Sequence, residues 1–408
     1  MSILIYIFNI ILFQHNVSSY LTAAETAERL GVSRATLYAY VSRGLLHAHP
    51  GPTPRESRYA LADVDMLAGQ RKRGRKPREV AKATLSWGLP VLESAITLIE
   101  DGRLYLRGAS IEGLAQASSV EAVATRLWQC AQSVAFGPVA PTSPAVLAPV
   151  QAHMARQRPE ESLLPLFTLA SEDASTAQWQ ATPERLAEGC GALVRLLAAC
   201  LLGTAPNADP LHLQCARAWQ LDGEGADLVR MALVLCADHE LNASSFTARC
   251  VASTGASLRA AVVGGLAALT GARHGGATAR VEALWDELGD SSPAAGLHQR
   301  LARGEALPGF GHHLYPEGDV RARLLLARIL PLRPTWAPWI SEAQALVGQP
   351  PSLDFALVAV RRHLALPQGA AYGLFALGRS LGWIAHALEQ RSGDGLIRPR
   401  AAYTGPRP

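Results

Sequence analysis

Three histidines and one aspartate occur in settings where a side chain could do chemistry. His239, His274 and His312 lie beside glycines or other small residues, in the strings HELNASSF, ARHGGA and GFGHHLYPEG. Glycine allows a backbone to approach a ligand closely, and imidazole changes its charge near neutral pH. Asp354, in SLDFALVAV, adds a carboxylate, although aspartate is also a favoured helix cap. A single histidine would more often be a buried structural residue, so the interpretation depends on all three occurring together.

Most of the chain that must position these residues is predicted to be helical. Beyond Lys82, segments such as PERLAEGCGALVRLLAACLLG are rich in Ala and Leu, and their apolar residues recur three and four positions apart. The segment ITLIEDGRLYLRG alternates instead and predicts a short hairpin over Asp101 and Gly102. No CxxC pair, GxxxxGK loop or metal-binding cluster in the sequence suggests another enzyme class. The fold class expected for residues 86–408 is therefore all-α.

A second, smaller module precedes this body at residues 20–70. Thr22 and Glu25 form a capping box that starts a helix, and Gly31 ends it. Ser33 can cap a second helix, and two short helices across a glycine-containing turn make a helix-turn-helix. The predicted buried stripe of the first helix is Ala24, Ala27 and Leu30, and the second helix carries Ala35, Leu37, Tyr38 and Val41.

The segment ETAERLGVSRATLYAYVSRGLL resembles the winged helix-turn-helix of the MerR-like type, and the likeness continues through RYALADVDML. In such modules the N-terminal part of the second helix enters the major groove of DNA. The resemblance therefore implies a DNA-binding module, although a single arginine is more often a solvated surface charge. The residues expected to contact DNA are Ser33, Arg34, Thr36, Arg43 and Arg58.

The positive charge of the chain is concentrated near this module. The formal net charge is +4, yet residues 71–78, RKRGRKPR, alone carry +6, which leaves −2 for the rest. Residues 20–82 hold 12 basic and 6 acidic side chains, a local +6 that suits salt-sensitive contact with phosphates. Residues 71–85 are predicted to be a basic linker that either follows the DNA backbone or only separates the two modules.

The first 19 residues are apolar but do not predict a membrane segment. MSILIYIFNIILF is shorter than the roughly 20 residues that span a bilayer, and it lacks the charged start of a signal peptide. We therefore interpret residues 1–19 as a disordered or artificial extension. The six cysteines form no CxxC pair and are expected to be reduced thiols. These features predict a cytoplasmic protein with no membrane contact.

Five strings in the body resemble the citrate synthase family in order and spacing. They are HELNASSF, RHGGA, GFGHHLYPEGDVRAR, SLDFALVAV and LFALGRSLGWIAHALEQ followed by LIRPRAAYTG. The similarity begins at ITLIEDGRLYLRG and so covers nearly all of residues 86–408. It implies the family's all-helical fold, a large domain with an inserted small domain at about residues 275–362. It also implies a homodimer with the active site in the cleft between the domains.

The resemblance further implies a reaction of the tricarboxylic acid cycle, the condensation of acetyl-CoA with oxaloacetate to citrate and CoA. No cofactor is implied, since acetyl-CoA enters as a substrate. By this resemblance Asp354 removes a methyl proton from acetyl-CoA, while His274 donates a hydrogen bond to the thioester oxygen as the enol forms. His312 polarises the ketone of oxaloacetate and protonates the new alkoxide, and citryl-CoA is then hydrolysed.

Oxaloacetate is a dianion, and arginine binds a carboxylate with two parallel hydrogen bonds. The residues that match the family's oxaloacetate contacts are His239, Arg321, Arg379 and Arg398. In the family the last of these comes from the partner subunit, so Arg398 implies an obligate dimer.

Departures from the family pattern concern coenzyme A more than oxaloacetate. Val320 replaces a usual proline, His313 stands where a basic residue is usual, and Pro316 where some relatives carry an arginine for the CoA phosphate. Two alternatives stay open. The acyl donor could be propionyl-CoA, as in a 2-methylcitrate synthase, because one methylene is worth only about 1–3 kcal/mol. The chain could also be a transcriptional regulator that uses the synthase fold as a metabolite sensor, although a sensor would not need the base.

Overall fold

The computed structural model divides into two compact units. The N-terminal unit comprises residues 1–93 and 401–408, and the body comprises residues 94–400. The predicted extension 1–19 and the predicted linker 71–85 lie outside the described residues. The structure describes residues 20–42, 45–51, 56–61, 63–65, 67–68, 92–171, 182–288, 293–393, 395–401 and 403–406.

The described part of the N-terminal unit combines a small antiparallel sheet with two bounded helices and further helical residues at 61, 63–65 and 67–68. Its elements are β1 (Tyr20–Thr22), α1 (Ala23–Leu30), α2 (Arg34–Ser42), β2 (His49–Pro50) and β3 (Ser57–Ala60). The strands pair in the order β1-β3-β2, with Leu21 opposite Tyr59 and His49 opposite Arg58. Tyr59 is fully buried and shares a core with Leu37 of α2.

Both predicted helix caps are present. Thr22 Oγ1 accepts a hydrogen bond from Glu25 N at 3.3 Å, while Glu25 Oε2 accepts one from Thr22 N at 2.7 Å. Gly31 ends α1 in the left-handed conformation, with φ of 62°, which glycine adopts without strain. Ser33 Oγ accepts from Thr36 N at 3.1 Å at the start of α2. The predicted helix-turn-helix is therefore confirmed in its local bonding.

The buried face of α1 differs from the prediction at one position. The sequence predicts that Ala24 is buried, but Ala24 is exposed, as are Ala35 and Tyr38 of α2. Thr26 takes the buried position on α1, since the first turn of this helix directs Ala24 towards solvent. The outward face of α2 consists of Arg34, Ala35 and Tyr38. Ala35 and Tyr38 follow Arg34 by one and four residues, so the three side chains lie on one side of the helix.

The body begins with the predicted hairpin. β4 (Thr97–Glu100) pairs antiparallel with β5 (Arg103–Leu106), and β6 (Ala109–Ser110) extends the sheet. Asp101 and Gly102 have φ of 50° and 70°, as a two-residue turn between twisted strands requires.

The rest of the body, in the described ranges, is helical, which confirms the all-α class. The helix bounds are α3 (Ile111–Ala117), α4 (Val120–Trp128), α5 (Gln132–Ala135), α6 (Leu147–Met154), α7 (Pro159–Ala170), α8 (Pro183–Leu202), α9 (Leu211–Ala218), α10 (Gly223–Cys236), α11 (Ala243–Ser253), α12 (Leu258–Leu269), α13 (Ala277–Leu288), α14 (Pro293–Ala302), α15 (Val320–Ile329), a 3₁₀ turn (Leu330–Leu332), α16 (Trp336–Val347), α17 (Leu353–His363) and α18 (Ala370–Arg391).

Helix α18 is the central helix of the body. Every residue from Ala370 to Ala387 is buried, and the helix packs against α10, α11 and α12. Gly265 of α12 permits this approach, because a Cβ there would lie 2.5 Å from the ring of Trp383. Polar side chains on α18 are therefore desolvated, and each costs stability unless it has a hydrogen-bond partner. Among the described residues, no helix is both long and apolar enough to cross a membrane.

Candidate active site

A loop at residues 309–319 is bound to the chain segment that leads into α17. Gly311 N donates to Pro350 O, and Ser352 N donates to Gly309 O, each at 2.8 Å. Gly309 has φ of 89°, and a Cβ there would overlap neighbouring side chains, so the turn requires glycine. The predicted histidine of the loop and the predicted base on α17 are thereby held on adjoining segments.

The loop ends in a buried ion pair. Nε and Nη2 of Arg321 donate to the two carboxylate oxygens of Asp319, at 2.9 and 2.8 Å. The same carboxylate caps α15 by accepting from Arg321 N at 3.0 Å, and it accepts from Leu353 N at 3.1 Å. Burial alone would raise the pKa of Asp319, but Arg321 holds it below its ordinary value. One ionised carboxylate thus joins the loop, α15 and α17.

His239, His312 and Tyr315 form a cluster of three rings. The imidazole centroids are 4.9 Å apart, and the Tyr315 ring lies 5.5 Å from His239 and 5.1 Å from His312. Nε2 of His239 is 3.0 Å from Tyr315 Oη. Leu314 N donates to His312 Nδ1 at 3.2 Å, so the neutral ring of His312 carries its proton on Nε2. The Arg321 guanidinium lies 5.6 Å from the centre of the tyrosine ring.

His274 lies in the turn between α12 and α13 and is supported by a second network. Its Nε2 is 2.7 Å from Ser244 Oγ. Trp383 Nε1 donates to the same hydroxyl at 3.0 Å, and the hydroxyl donates to Asn242 Oδ1 at 2.8 Å. The imidazole contacts the ring of Phe375 edge-on, with 5.7 Å between centroids. Within the described ranges Nδ1 of His274 makes no hydrogen bond, so it is left for a ligand.

Burial keeps the three imidazoles neutral near pH 7. It lowers the pKa of His274 to about 4 and that of His312 to about 4, and the cations of Arg379 and Arg321 act in the same direction. Burial and Arg321 also place the pKa of His239 well below its ordinary value. A neutral imidazole donates one hydrogen bond without adding a charge, which suits a donor to a developing oxyanion.

Arg379, on α18, is a buried cation with no carboxylate bonded to it in the described part of the chain. It is 1% exposed, its Nε donates to Cys236 O at 2.7 Å, and its guanidinium lies 4.9 Å from the ring centre of Phe375. Burial lowers the pKa of Arg379 to about 10, and the group stays charged at neutral pH. Its Nη groups therefore remain as donors for an anionic ligand.

Asp238 supplies a negative charge beside Arg379 without a hydrogen bond to it. The carboxylate fits a notch of α18 at Gly382, where a Cβ would overlap Asp238 Oδ1. Thr97 Oγ1 donates to the carboxylate, and His386 Nε2 lies 3.3 Å from it. Burial alone would raise the pKa of Asp238, but His386 and Arg379 hold it below its ordinary value.

Asp354 is the second residue of α17, behind Ser352 at the N-cap, so it is not the helix cap. Its Oδ1 is buried and has no hydrogen-bond partner among the described residues. Burial raises the pKa of Asp354 to about 6, with Asp319 adding to the effect and Arg321 opposing it. Such a carboxylate is ionised at neutral pH and is a stronger base than a surface aspartate.

Contacts and charge coupling connect six of the seven enzyme residues predicted from the sequence. These are His239, His274, His312, Arg321, Asp354 and Arg379. Arg398 differs, because it is exposed in the extended segment 395–401 and makes no hydrogen bond or ion pair in the described part of the chain. The described residues also contain no group of three His, Cys, Asp or Glu placed to hold a metal ion.

The predicted DNA-contact residues belong to the other unit. The hydroxyls of Ser33 and Thr36 are 2.9 Å apart and are engaged in the cap of α2. Arg34 is exposed, and Arg58 is a partly buried residue of β3. Arg43 lies outside the described residues.

Four supporting residues are missed by the sequence reasoning, namely Tyr315, Phe375, Asp319 and Asp238. Each lies inside or next to a string that carries a predicted residue, and this proximity is the only signal in the sequence. Tyr315, Asp319 and Asp238 also bond residues in other parts of the chain, and spacing could not reveal those contacts.

Two family models match this chain. Residues 84–400 match the model described as "Citrate synthase, C-terminal domain", more than three quarters of the sequence. Residues 20–72 match a helix-turn-helix domain.

Curated relatives and solved structures agree with these matches. The citrate synthase of Haloferax volcanii is 38% identical over 191 residues, 44% of this chain and 50% of that protein. A 2-methylcitrate synthase of Mycobacterium tuberculosis is 36% identical over 189 residues, 43% of this chain and 47% of that protein. The citrate synthase of Thermoplasma acidophilum, solved with carboxymethyl coenzyme A and oxaloacetate, has a TM-score of 0.63 at 22% identity, over 78% of this chain and 95% of that chain. At this identity the structural likeness shows the fold alone.

The raised pKa of Asp354 predicts that Asp354→Asn stabilises the protein. Because the folded pKa is near 6 and the ordinary value is 3.8, ionisation of Asp354 removes stability as pH rises from about 4 through 6. We expect the variant to gain about 3 kcal/mol in free energy of unfolding at pH 8, from urea denaturation, and less at pH 5.

Asp227→Asn is the matched control, for which the expected change in free energy of unfolding has the opposite sign. Arg230 and Arg328 bond Asp227 and lower its pKa against the effect of burial, so this substitution should destabilise the protein at pH 8. An Asp354→Asn variant less stable than wild type at pH 8 would contradict the assignment of a desolvated, ionised carboxylate.

Proposed function

Because the chain belongs to the citrate synthase family of acyltransferases, we propose that its body condenses acetyl-CoA with oxaloacetate and releases citrate and coenzyme A. The observation that carries the proposal is the carboxylate of Asp354, which has a buried oxygen without a partner and a pKa of about 6. Neutral imidazoles and the free guanidinium donors of Arg379 accompany it, and this combination is what the reaction requires.

In the first step Asp354 takes a proton from the methyl group of acetyl-CoA. Charge then develops on the thioester oxygen, where Nδ1–H of His274 donates a hydrogen bond. For this tautomer Ser244 must donate its proton to Nε2 of His274. In the structure the Ser244 hydroxyl accepts from Trp383 Nε1 and donates to Asn242 Oδ1, so this tautomer requires the single Ser244 proton to turn from Asn242 to Nε2 of His274.

In the second step the enol carbon attacks the ketone carbon of oxaloacetate. Nε2–H of His312 polarises the ketone oxygen and then gives its proton to the alkoxide. The two carboxylates of oxaloacetate bind to the free donors of Arg379 and Arg321, together with His239. Water then cleaves the thioester of citryl-CoA, and CoA leaves as the thiol.

Propionyl-CoA is the second candidate acyl donor. The matches to a citrate synthase at 38% identity and to a 2-methylcitrate synthase at 36% are nearly equal and favour neither donor. A single methylene discriminates by about 1–3 kcal/mol. We propose acetyl-CoA as the donor, and the rates of thiol release from acetyl-CoA and propionyl-CoA test this choice.

We also propose that the N-terminal unit binds DNA. The support is the outward face of α2, where Arg34 and Tyr38 are exposed and no described acidic residue pairs with Arg34. The local charge of residues 20–82 is +6. Such a module would bind phosphates in a salt-dependent way.

The proposed assembly is a homodimer in the cytoplasm. Arg398 is exposed and has no partner in the described residues, as expected for a side chain that completes the site of a second copy. The described cysteines are free, and burial raises the pKa of Cys200 and Cys215 to about 12. Inert thiols of this kind support a reducing compartment.

Thiol release from acetyl-CoA and from propionyl-CoA, each with oxaloacetate, tests the enzyme proposal. Asp354→Asn should lower kcat by about 10²–10⁴-fold, because general-base catalysis is worth that much. Oxaloacetate binding, measured by calorimetry, should remain, since the arginines are untouched. If the wild type binds oxaloacetate but turns over neither thioester, the body is a sensor and the enzyme proposal is wrong.

Mixing two inactive variants tests the dimer and the role of Arg398. A site that uses Asp354 of one subunit and Arg398 of the other is intact on one side of a hybrid between Asp354→Asn and Arg398→Ala chains. We expect thiol release to reappear after subunit exchange. In an equal mixture half of the dimers are hybrids with one intact site each, so the rate per subunit should reach about one quarter of the wild-type rate. Lack of recovery in verified hybrids would show that Arg398 does not act across the interface.

Titration with a mixed-sequence DNA duplex at two salt concentrations tests the N-terminal unit. Arg34→Ala should weaken binding and reduce the salt slope by about one. Arg29→Ala is the matched control, because Arg29 is bonded to Asp65 at 2.6 Å and should change binding little. Equal DNA binding by a chain that lacks residues 1–82 would disprove the assignment.

A further inference from the structure

Tyr315 touches three of the predicted catalytic and substrate-binding side chains but has no role in the mechanism above. It is 1% exposed and lies in the loop at residues 309–319. Its hydroxyl is 3.0 Å from Nε2 of His239, and its ring contacts His312 and the guanidinium of Arg321. The ring contacts are packing interactions, whereas the hydroxyl contact fixes a proton.

The hydroxyl contact determines what His239 can offer to a ligand. A neutral imidazole has one N–H donor and one acceptor nitrogen. If Tyr315 donates to Nε2 of His239, the ring proton lies on Nδ1, which makes no hydrogen bond with the described residues. If His239 instead donates to Tyr315, Nδ1 presents only a lone pair.

The direction of this hydrogen bond follows from the two partners and the ligand. Burial raises the pKa of Tyr315 to about 12, so the phenol keeps its proton. Burial also keeps His239 neutral. An oxaloacetate dianion offers only acceptor atoms, so an Nδ1 lone pair would repel it, and only the Nδ1–H tautomer of His239 can bind it.

We infer that Tyr315 is a positioning residue, which donates its hydroxyl proton to Nε2 of His239 and thereby makes Nδ1 of His239 a hydrogen-bond donor to oxaloacetate. The inference rests on the proposed function, because it concerns the same oxaloacetate site. It assigns a specific task to the hydroxyl, separate from the packing of the ring.

Tyr315→Phe isolates this task, because only the hydroxyl is removed and the contacts with His312 and Arg321 remain. We expect the Kd and the KM for oxaloacetate to rise about tenfold, while kcat changes less than about threefold. Tyr372→Phe is the matched control. Tyr372 is also 1% exposed, but its hydroxyl has no hydrogen-bond partner among the described residues, so its removal should leave the Kd unchanged.

A double-mutant cycle separates positioning from general loosening of the site. In a His239→Ala background, Tyr315→Phe should cause no further change in the Kd for oxaloacetate, because the hydroxyl acts through His239. An additive second loss would overturn the inference, as would an unchanged Kd in the single Tyr315→Phe variant. A wild type that binds no oxaloacetate would instead overturn the proposed function.

A spectroscopic measurement on the full chain tests the proton directly. Histidine ¹⁵N shifts distinguish the two neutral tautomers, and the His239→Ala variant assigns the signal. We expect the Nδ1–H form in the wild type and a shift towards the other tautomer in Tyr315→Phe. An Nε2–H form in the wild type would overturn the inference.

Discussion

The carboxylate of Asp319 is the interaction on which the geometry of the site depends. It accepts two side-chain bonds and one main-chain bond from Arg321, and a further main-chain bond from Leu353. The loop at residues 309–319, the start of α15 and the start of α17 are therefore fixed to one another at a single group. Loss of that group would leave Arg321 as a buried unpaired charge, which typically costs about 3–5 kcal/mol. The spacing between the loop histidine and the proposed base depends on this pair.

Around this fixed point the body keeps two charges that have no direct partner. Arg379 and the buried oxygen of Asp354 lack a bonded counter-ion in the described residues, and the protein compensates them at a distance. Asp238 faces Arg379 from the notch at Gly382, held there by its own donors. Such an arrangement reduces the stability of the fold but leaves the Nη groups of Arg379 and the buried oxygen of Asp354 available to a ligand. Sites that bind charged ligands commonly lose stability in this way.

In the N-terminal unit the sequence predicted the local bonds well and the burial less well. The capping box of Thr22 and Glu25 and the glycine at position 31 were predictable because each involves groups within a few residues of one another. The exposure of Tyr38 was not predictable in this way, because the core that Leu37 shares with α1 and Tyr59 decides which face of α2 is covered. An aromatic residue at helical spacing is consistent with either the core or a binding face.

For the body, the sequence by itself determined the helical class, the hairpin over Asp101 and Gly102, and the chain positions of the residues that carry the family resemblance. Only the tertiary structure decided their chemical state. It places Tyr315 against His239, 76 residues earlier in the chain, and it raises the pKa of Asp354 by burial. Protonation and hydrogen-bond direction depend on distance in space and on exclusion of water, and neither quantity is encoded in residue type and spacing alone.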